Sequence, residues 1–289
     1  MASRVVLVAV GALVIVLGFG LLALVRTDPA PDPGPQPSPS PTPVEQTLLL
    51  QVLDADSYAL GNVVIGIEPA GQAETTTFLQ VPASLLVPVG DDSVTLGLTP
   101  AAPDTLAGVK GVSQELSLRL DAGLTLDRLA FAGLVDAVDG IWVKLPAAVV
   151  LPRQDGSEVR VLGPGWVKMD GVTAADYVVA RIPGEDDAAR ISRVSAVLDL
   201  VLQRLPYEPE RMRQLLTSLG SLAQSTVPTE QLVPFLLQVS ADVQAKRTQH
   251  AVLPVEIIRV GVRPASIPAP DAEALVQELF PDARLEPAL

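Results

Sequence analysis

Asp187-Ala-Ala-Arg190-Ile-Ser-Arg193-Val-Ser-Ala-Val-Leu-Asp-Leu-Val-Leu-Gln-Arg-Leu205 reads as one amphipathic helix. At the helical period, Ile191, Val194, Val197, Leu198, Val201, Leu202 and Leu205 fall on a single stripe. Arg190 lies inside that stripe at its N-terminal end, Asp187 lies close to it, and Arg193 sits on its border. A charged residue on the buried side of a helix needs a partner or a ligand. An arginine near a helix N-terminus also opposes the helix dipole unless an anion is bound there. Two readings stay open: an Asp187–Arg190 pair beside a solvated Arg193, or an anion site built from Arg181, Arg190 and Arg193.

Working outward, helical periodicity marks about Asp170–Ala180, Ala188–Leu205, Pro209–Ala223, Thr229–Lys246 and Asp271–Phe280. Earlier in the chain, Thr47–Leu53, Asn62–Ile67, Thr75–Val81 and Val94–Leu98 are short β-like runs between Gly, Pro and Asp turn signals. A helix is expected around Thr105–Leu120, a strand at Leu126–Ala130, a helix at Phe131–Val138 and a strand at Ile141–Leu145. One more strand is expected near Val252–Val260. Strands mixed with helices in this way argue for an α/β fold, a sheet covered on both faces. No internal repeat or second linker divides the segment, so one domain over residues 47–289 is expected.

The N-terminus is of another kind. Val5 to Val25 is an uncharged, mostly apolar run between Arg4 and Arg26. It supplies the roughly 20 residues a helix needs to cross about 30 Å of hydrocarbon. It is longer than a signal-peptide core and lacks a small-x-small cleavage site, so residues 1–26 are expected to be an uncleaved anchor with the domain outside the cytoplasm. Proline then occupies every second position from Pro29 to Pro43. Residues 27–46 are accordingly expected to be a proline-rich stalk with polyproline II preference.

Composition removes several function classes. The chain has no cysteine and one histidine, His250, so thiolate–zinc sites and histidine clusters are excluded. Any metal would need oxygen ligands, as Mg²⁺ or Ca²⁺ accept. With a net charge of −13 and no Lys/Arg stripe, nucleic acid is not an expected partner. No GxSxG, P-loop, HExxH or strand-following GxGxxG pattern is present.

Three elements do carry a family resemblance. Asp136-Ala-Val-Asp139-Gly140-Ile141 resembles the "DAVGGV" element of LytR-CpsA-Psr (LCP) proteins. Gly165-Trp-Val-Lys-Met-Asp170-Gly171, with Ala174-Ala-Asp-Tyr177-Val-Val-Ala-Arg181, resembles their LDG and "RxR" elements. Asp187-Ala-Ala-Arg190-Ile-Ser-Arg193 resembles "DxxRxxRQ". The resemblance implies an α/β/α sandwich with a central mixed sheet around an apolar tunnel for a polyprenyl chain, its pyrophosphate gripped by arginines at the mouth. It also implies transfer of a glycopolymer from that lipid carrier to peptidoglycan, with Mg²⁺. Carried onto this sequence, Arg181, Arg190 and Asp187 match catalytic positions, Arg181, Arg190 and Arg193 match pyrophosphate-binding positions, and Asp54 matches the metal-binding aspartate.

The chain departs from the family pattern in its N-terminal half. Asp56 stands where an arginine is usual, Ala59-Leu60-Gly61 replaces "RSD", and Pro82-Ala83-Ser84 replaces "PRD". Val179 replaces the first arginine of "RxR", and Val194 replaces the glutamine after Arg193. The expected function is a divergent, membrane-anchored cell-envelope protein that binds a polyprenyl-(pyro)phosphate-linked glycan, with weakened or lost phosphotransferase activity. Peptidoglycan and envelope-assembly proteins are further expected partners. The alternatives are an active Mg²⁺-dependent transferase and an unrelated anchored module that binds protein or wall polymer.

Overall fold

A computed structural model describes residues 45–68, 75–151, 160–180, 182, 185, 187–261 and 263–285. Strand β1 (Gln46–Leu53) is buried at every position after Gln46, and β2 (Ala59–Ile67) at all nine. Continuous burial of this kind marks strands covered on both faces. They pair antiparallel at the centre of a six-stranded sheet. β3 (Thr76–Gln80) runs antiparallel to β2, and β12 (Thr248–Val252) runs parallel to β3. On the other side β6 (Ala122–Leu126) runs parallel to β1, and β11 (Ala223–Ser225) closes that edge antiparallel to β6. The sheet is therefore mixed.

Period-2 alternation in β1 sends Leu48, Leu50 and Val52 to one face and Leu49 to the other, and two separate cores follow from that split. The larger core lies under five helices: α2 (Arg128–Ala137), α3 (Gly171–Val179), α4 (Asp187–Leu202), α5 (Pro209–Ser218) and α6 (Thr229–Ala245). The smaller one is roofed by α1 (Ala107–Glu115), a 3-10 turn at Leu96–Ala101, the hairpin of β4 (Leu86–Val89) with β5 (Asp92–Thr95), and α7 (Ala272–Leu279). The result is an α/β/α sandwich. Two ribbons extend it. In the first, β7 (Ile141–Leu145) pairs with β10 (Gly165–Met169), and β8 (Val149–Leu151) pairs with β9 (Arg160–Leu162). In the second, β13 (Val255–Val260) pairs with β14 (Arg263–Pro268). The carboxylate of Asp242, wholly buried on α6, clamps one edge of the sheet. It accepts from the Thr76 hydroxyl on β3 at 2.7 Å and from Arg247 at 2.6 Å.

Several expected elements fall elsewhere. Leu126 ends β6 rather than opening a strand, because Asp127 caps α2 and accepts from the Ala130 amide at 2.7 Å. The strand expected at Val94–Leu98 ends at Thr95, where the chain coils under Tyr58. The single strand expected over Val252–Val260 is two strands, divided around Pro254, which join different sheets. The helix expected to reach Ala223 stops at Ser218, before Gly220 takes a positive φ of 57°. Strands β8, β9 and β10 fall in a stretch where helices were expected to dominate. Among the described residues no helix is long and apolar enough to cross a membrane. The anchor and proline tract expected before Val44 lie outside the described residues, as does Arg181.

Candidate functional site

The stripe read from the sequence is the buried face of α4: Ile191, Val194, Val197, Leu198, Val201, Leu202 and, just beyond the helix, Leu205 are all buried. Val194 fixes where this helix starts over the sheet. A Cβ on Gly61 would come within 2.9 Å of a Val194 methyl, so glycine lets α4 settle directly on β2. Gly61 faces Val52 of β1, two residues before Asp54. Val194 of α4 thus packs at Gly61 on β2, beside the strand that leads to Asp54, although the two are far apart in sequence.

Asp54 shapes that turn. Its Oδ1 accepts from the amides of Asp56 and Tyr58, each at 2.9 Å, while its own amide donates to the Tyr58 carbonyl. Ser57 takes the left-handed conformation this tight turn requires, at φ 60°. Tyr58 continues inward and donates to the Ala83 carbonyl at 3.2 Å. Its ring fills the space over Gly97, where a Cβ would overlap the ring.

Arg193 is the best-defined charge of the group, and it is not solvated, contrary to one of the two readings above. Only 6% of it is exposed. Its Nε and Nη2 donate to the two carboxylate oxygens of Glu185, at 3.1 and 2.6 Å, in the bidentate geometry arginine favours. Its remaining donors reach the Tyr177 carbonyl and, at 2.7 Å, the Ala180 carbonyl. The guanidinium carbon stands 5.2 Å from the Tyr177 ring centroid, within cation–π range. Burial lowers the guanidinium pKa, and Glu185 raises it again. Burial also lifts the Tyr177 phenol above its ordinary value. Arg190, one turn earlier, is half-buried, and α4 begins at Asp187. The motif arginines therefore sit differently: Arg193 ties α4 to the end of α3, while Arg190 precedes it along the helix. Glu185 was not singled out in the sequence, because it precedes α4, where no periodicity assigns it a direction.

The other two motifs join α2 to α3. Asp136, near the end of α2, accepts from the Gly171 amide at 2.7 Å. Asp170 caps α3 by accepting from the Thr173 amide at 2.8 Å. The Thr173 hydrogen bonds, helped by nearby Arg160, hold the Asp170 carboxyl below its ordinary pKa. A Cβ on Gly171 would overlap the Ala132 carbonyl oxygen, so only glycine allows α2 and α3 this close. Asp139 and Gly140, at φ 62° and 72°, turn the chain out of α2 and into β7. These motifs build the scaffold on which the α4 arginines rest.

The LytR_cpsA_psr family pattern matches residues 106–271 of the sequence, which include all three motifs. The chain belongs to the LytR-CpsA-Psr family. An unrelated anchored module is thereby ruled out, and membership implies transferase-type function on cell-wall glycopolymers. The matched span leaves out Asp54, Ala59–Gly61 and Pro82–Ser84.

Solved structures share the fold. Bacillus subtilis TagV is 14% identical, covering 82% of this chain and 98% of that chain, with a TM-score of 0.67. Protein gbs0355 from Streptococcus agalactiae is 16% identical, covering 85% and 91%, with a TM-score of 0.69. TagT bound to LIIa-WTA is 18% identical, covering 84% and 92%, with a TM-score of 0.67. A comparison with curated protein sequences finds no match.

The residues can be tested for the Mg²⁺ that the family implies. Among the described residues, no three acidic or histidine side chains gather into a metal cage. Asp54 offers one carboxylate, with Oδ1 already accepting two amides. That donor set suits Mg²⁺, which is commonly held by one or two carboxylates together with substrate phosphates and water.

Proposed function

We propose that this LCP chain is a single-pass, membrane-anchored protein whose domain lies outside the cytoplasm. There it holds a polyprenyl-(pyro)phosphate-linked glycan, with weakened or lost glycopolymer transfer to peptidoglycan. The observation that carries this reading is the engagement of Arg193 by Glu185 and two backbone carbonyls, which commits one of the three motif arginines to the scaffold. Arg181 and Arg190 are assigned to the pyrophosphate. Asp56, Ala59–Gly61 and Ala83 add no cation where the family pattern has arginine. A charge-assisted hydrogen bond to phosphate contributes about 1.5–3 kcal/mol, so a smaller arginine set grips the group more weakly. A reduced set still suits retention of a lipid pyrophosphate, whose chain adds apolar burial. Asp187 is assigned a catalytic role beside Arg190. Asp54 would hold Mg²⁺ with the substrate phosphates, and the bound ion would neutralise phosphate charge. The uncharged run Val5 to Val25, flanked by arginines, supports the anchor.

The test is native mass spectrometry of the full chain extracted in mild detergent, paired with a transfer assay beside B. subtilis TagT. We expect a co-purified polyprenyl phosphate, its loss in Arg190→Ala, and transfer at least ten-fold below that of TagT. Transfer at the rate of TagT, abolished by Arg190→Ala, would instead establish the active Mg²⁺-dependent enzyme. Absence of any bound polyprenyl lipid, with no transfer, would overturn both.

A further inference from the structure

The two tryptophans of this acidic chain are both exposed, and they share one face of one β-ribbon. In β7, Ile141, Val143 and Leu145 point into the larger core, while Trp142 and Lys144 alternate on the outside. In β10, Trp166 and Lys168 take the corresponding outer positions. The antiparallel register sets Trp142 opposite Lys168 and Lys144 opposite Trp166. The outer face is therefore a checkerboard of two indoles and two ammonium groups. Trp142 is 47% exposed and Trp166 is 66% exposed. Farther along the same hairpin Val150 opposes Val161, and both are also exposed. Tryptophan carries the largest apolar payload of any side chain, so leaving both in water forgoes burial that folding would normally take. Isolated exposed apolar residues need no explanation. A clustered, alternating set does.

We infer that this ribbon face is a docking strip for an anionic glycopolymer strand, separate from the α4 arginines. Sugar rings stack on Trp142 and Trp166, and phosphodiester or carboxylate groups lie against Lys144 and Lys168. This deepens the reading above by placing a polymer-holding surface beside the lipid-holding one, and it rests on that reading for the source of the polymer. Charge complementarity selects the occupant. The chain as a whole carries −13, so a broad anionic surface such as an acidic bilayer is repelled by most of the domain. A single extended strand meets the ribbon alone, where the outward charges of β7 and β10 are Lys144 and Lys168. Lys168 shares an exposed ion pair with Asp139 at 3.4 Å, which a stronger phosphate partner can displace. Among the described residues no carboxylate lies within ion-pair distance of Lys144. Along each strand the tryptophan and the lysine are two residues apart, about 6.6 Å of backbone rise. That spacing places a stacking surface and a cation within reach of one sugar-phosphate repeat.

The tryptophans also report on the strip, since they are the chain's whole indole signal. The full chain, reconstituted in phosphatidylcholine nanodiscs, is titrated with glucosylated glycerol-phosphate teichoic acid, which carries both sugar rings and phosphodiesters, while tryptophan emission is followed. Neutral dextran, sodium polyphosphate and phosphatidylglycerol-enriched nanodiscs are the parallel arms. The expected result is a saturable shift with teichoic acid at an affinity at least ten-fold tighter than with dextran or polyphosphate. Trp142→Ala, read through Trp166, and Trp166→Ala, read through Trp142, each weaken it about ten-fold. Lys144→Gln with Lys168→Gln flattens the salt dependence. All these side chains are exposed, so circular dichroism and melting should be unchanged in the variants. Arg190→Ala should retain the polymer response while losing lipid. Failure of the strip alone thus leaves lipid retention intact, and failure of the lipid reading leaves the indole signal intact. A shift only with phosphatidylglycerol would overturn the proposal in favour of a membrane-facing ribbon. No shift with any probe would overturn it outright.

Discussion

Arg193 shows how one residue can serve architecture from within a motif. A buried arginine is tolerable only when it is well paired, and Glu185 with the Tyr177 and Ala180 carbonyls engages all three of its nitrogens. Removing the guanidinium leaves Glu185, itself only 13% exposed at the side chain, facing two orphaned carbonyls. Arg193→Met is therefore expected to lower stability by about 3 kcal/mol in urea denaturation. Pairing it with Glu185→Leu should recover much of that loss. Recovery is the decisive readout, because a role confined to ligand binding would leave the melt of both variants unchanged. Helical periodicity put Arg190 inside the stripe and Arg193 on its border, whereas the structure buries Arg193 and leaves Arg190 half-buried. Periodicity could not name Glu185, which lies before the helix and reaches Arg193 only through the chain's path from α3 to α4.

At the scale of elements, the most constrained packing is the crossing of α2 and α3. Asp136 receives the Gly171 amide, Asp170 caps α3, and the Ala132 carbonyl fills the place a side chain would take. Gly171→Ala is accordingly expected to cost about 2 kcal/mol or more, since a Cβ overlapping backbone cannot be relieved by rotating a side chain. A thermal melt matching that of the parent would contradict that. The Asp170-Gly171 and Asp139-Gly140 signals are visible in the sequence because caps and left-handed turns are local chemistry. The ribbon of β7 to β10 was only half visible. Ile141–Leu145 alternates cleanly, but Gly165-Trp-Val-Lys-Met is a short strand whose alternation means little until its partner supplies the opposite edge.

For the whole molecule, the way the chain enters the sheet makes folding sensitive to pH. Glu45 precedes β1 and lies buried against Phe280, with Gly66 close by. Burial raises its carboxyl to about 7, helped by the Asp282 and Glu68 carboxylates and offset by the Asp282 amide and Arg119. A carboxyl with a raised folded-state pKa holds its proton more tightly folded than unfolded. Its contribution is complete below the ordinary carboxylate range and is lost as pH rises toward about 7. The slope is at most about 1.4 kcal/mol per pH unit. Glu45→Gln should thus be more stable than the parent at about pH 7.5 and nearly equal at about pH 4.5, compared by urea midpoints of the two full chains. Equal midpoints at both pH values would refute a buried, protonated Glu45. By itself the sequence determined the mixed α/β character, most of the long helices, the buried stripe of α4 and a sheet covered on both faces. Each of those rests on periodicity or steric rules that act within a few residues. Only the tertiary structure decided the strand order, the pairing of Arg193 with Glu185, the seating of α4 on β2 at Gly61, and the gathering of both tryptophans on one face. These depend on packing between segments distant in the chain, whose partners are set by how two cores form on one sheet.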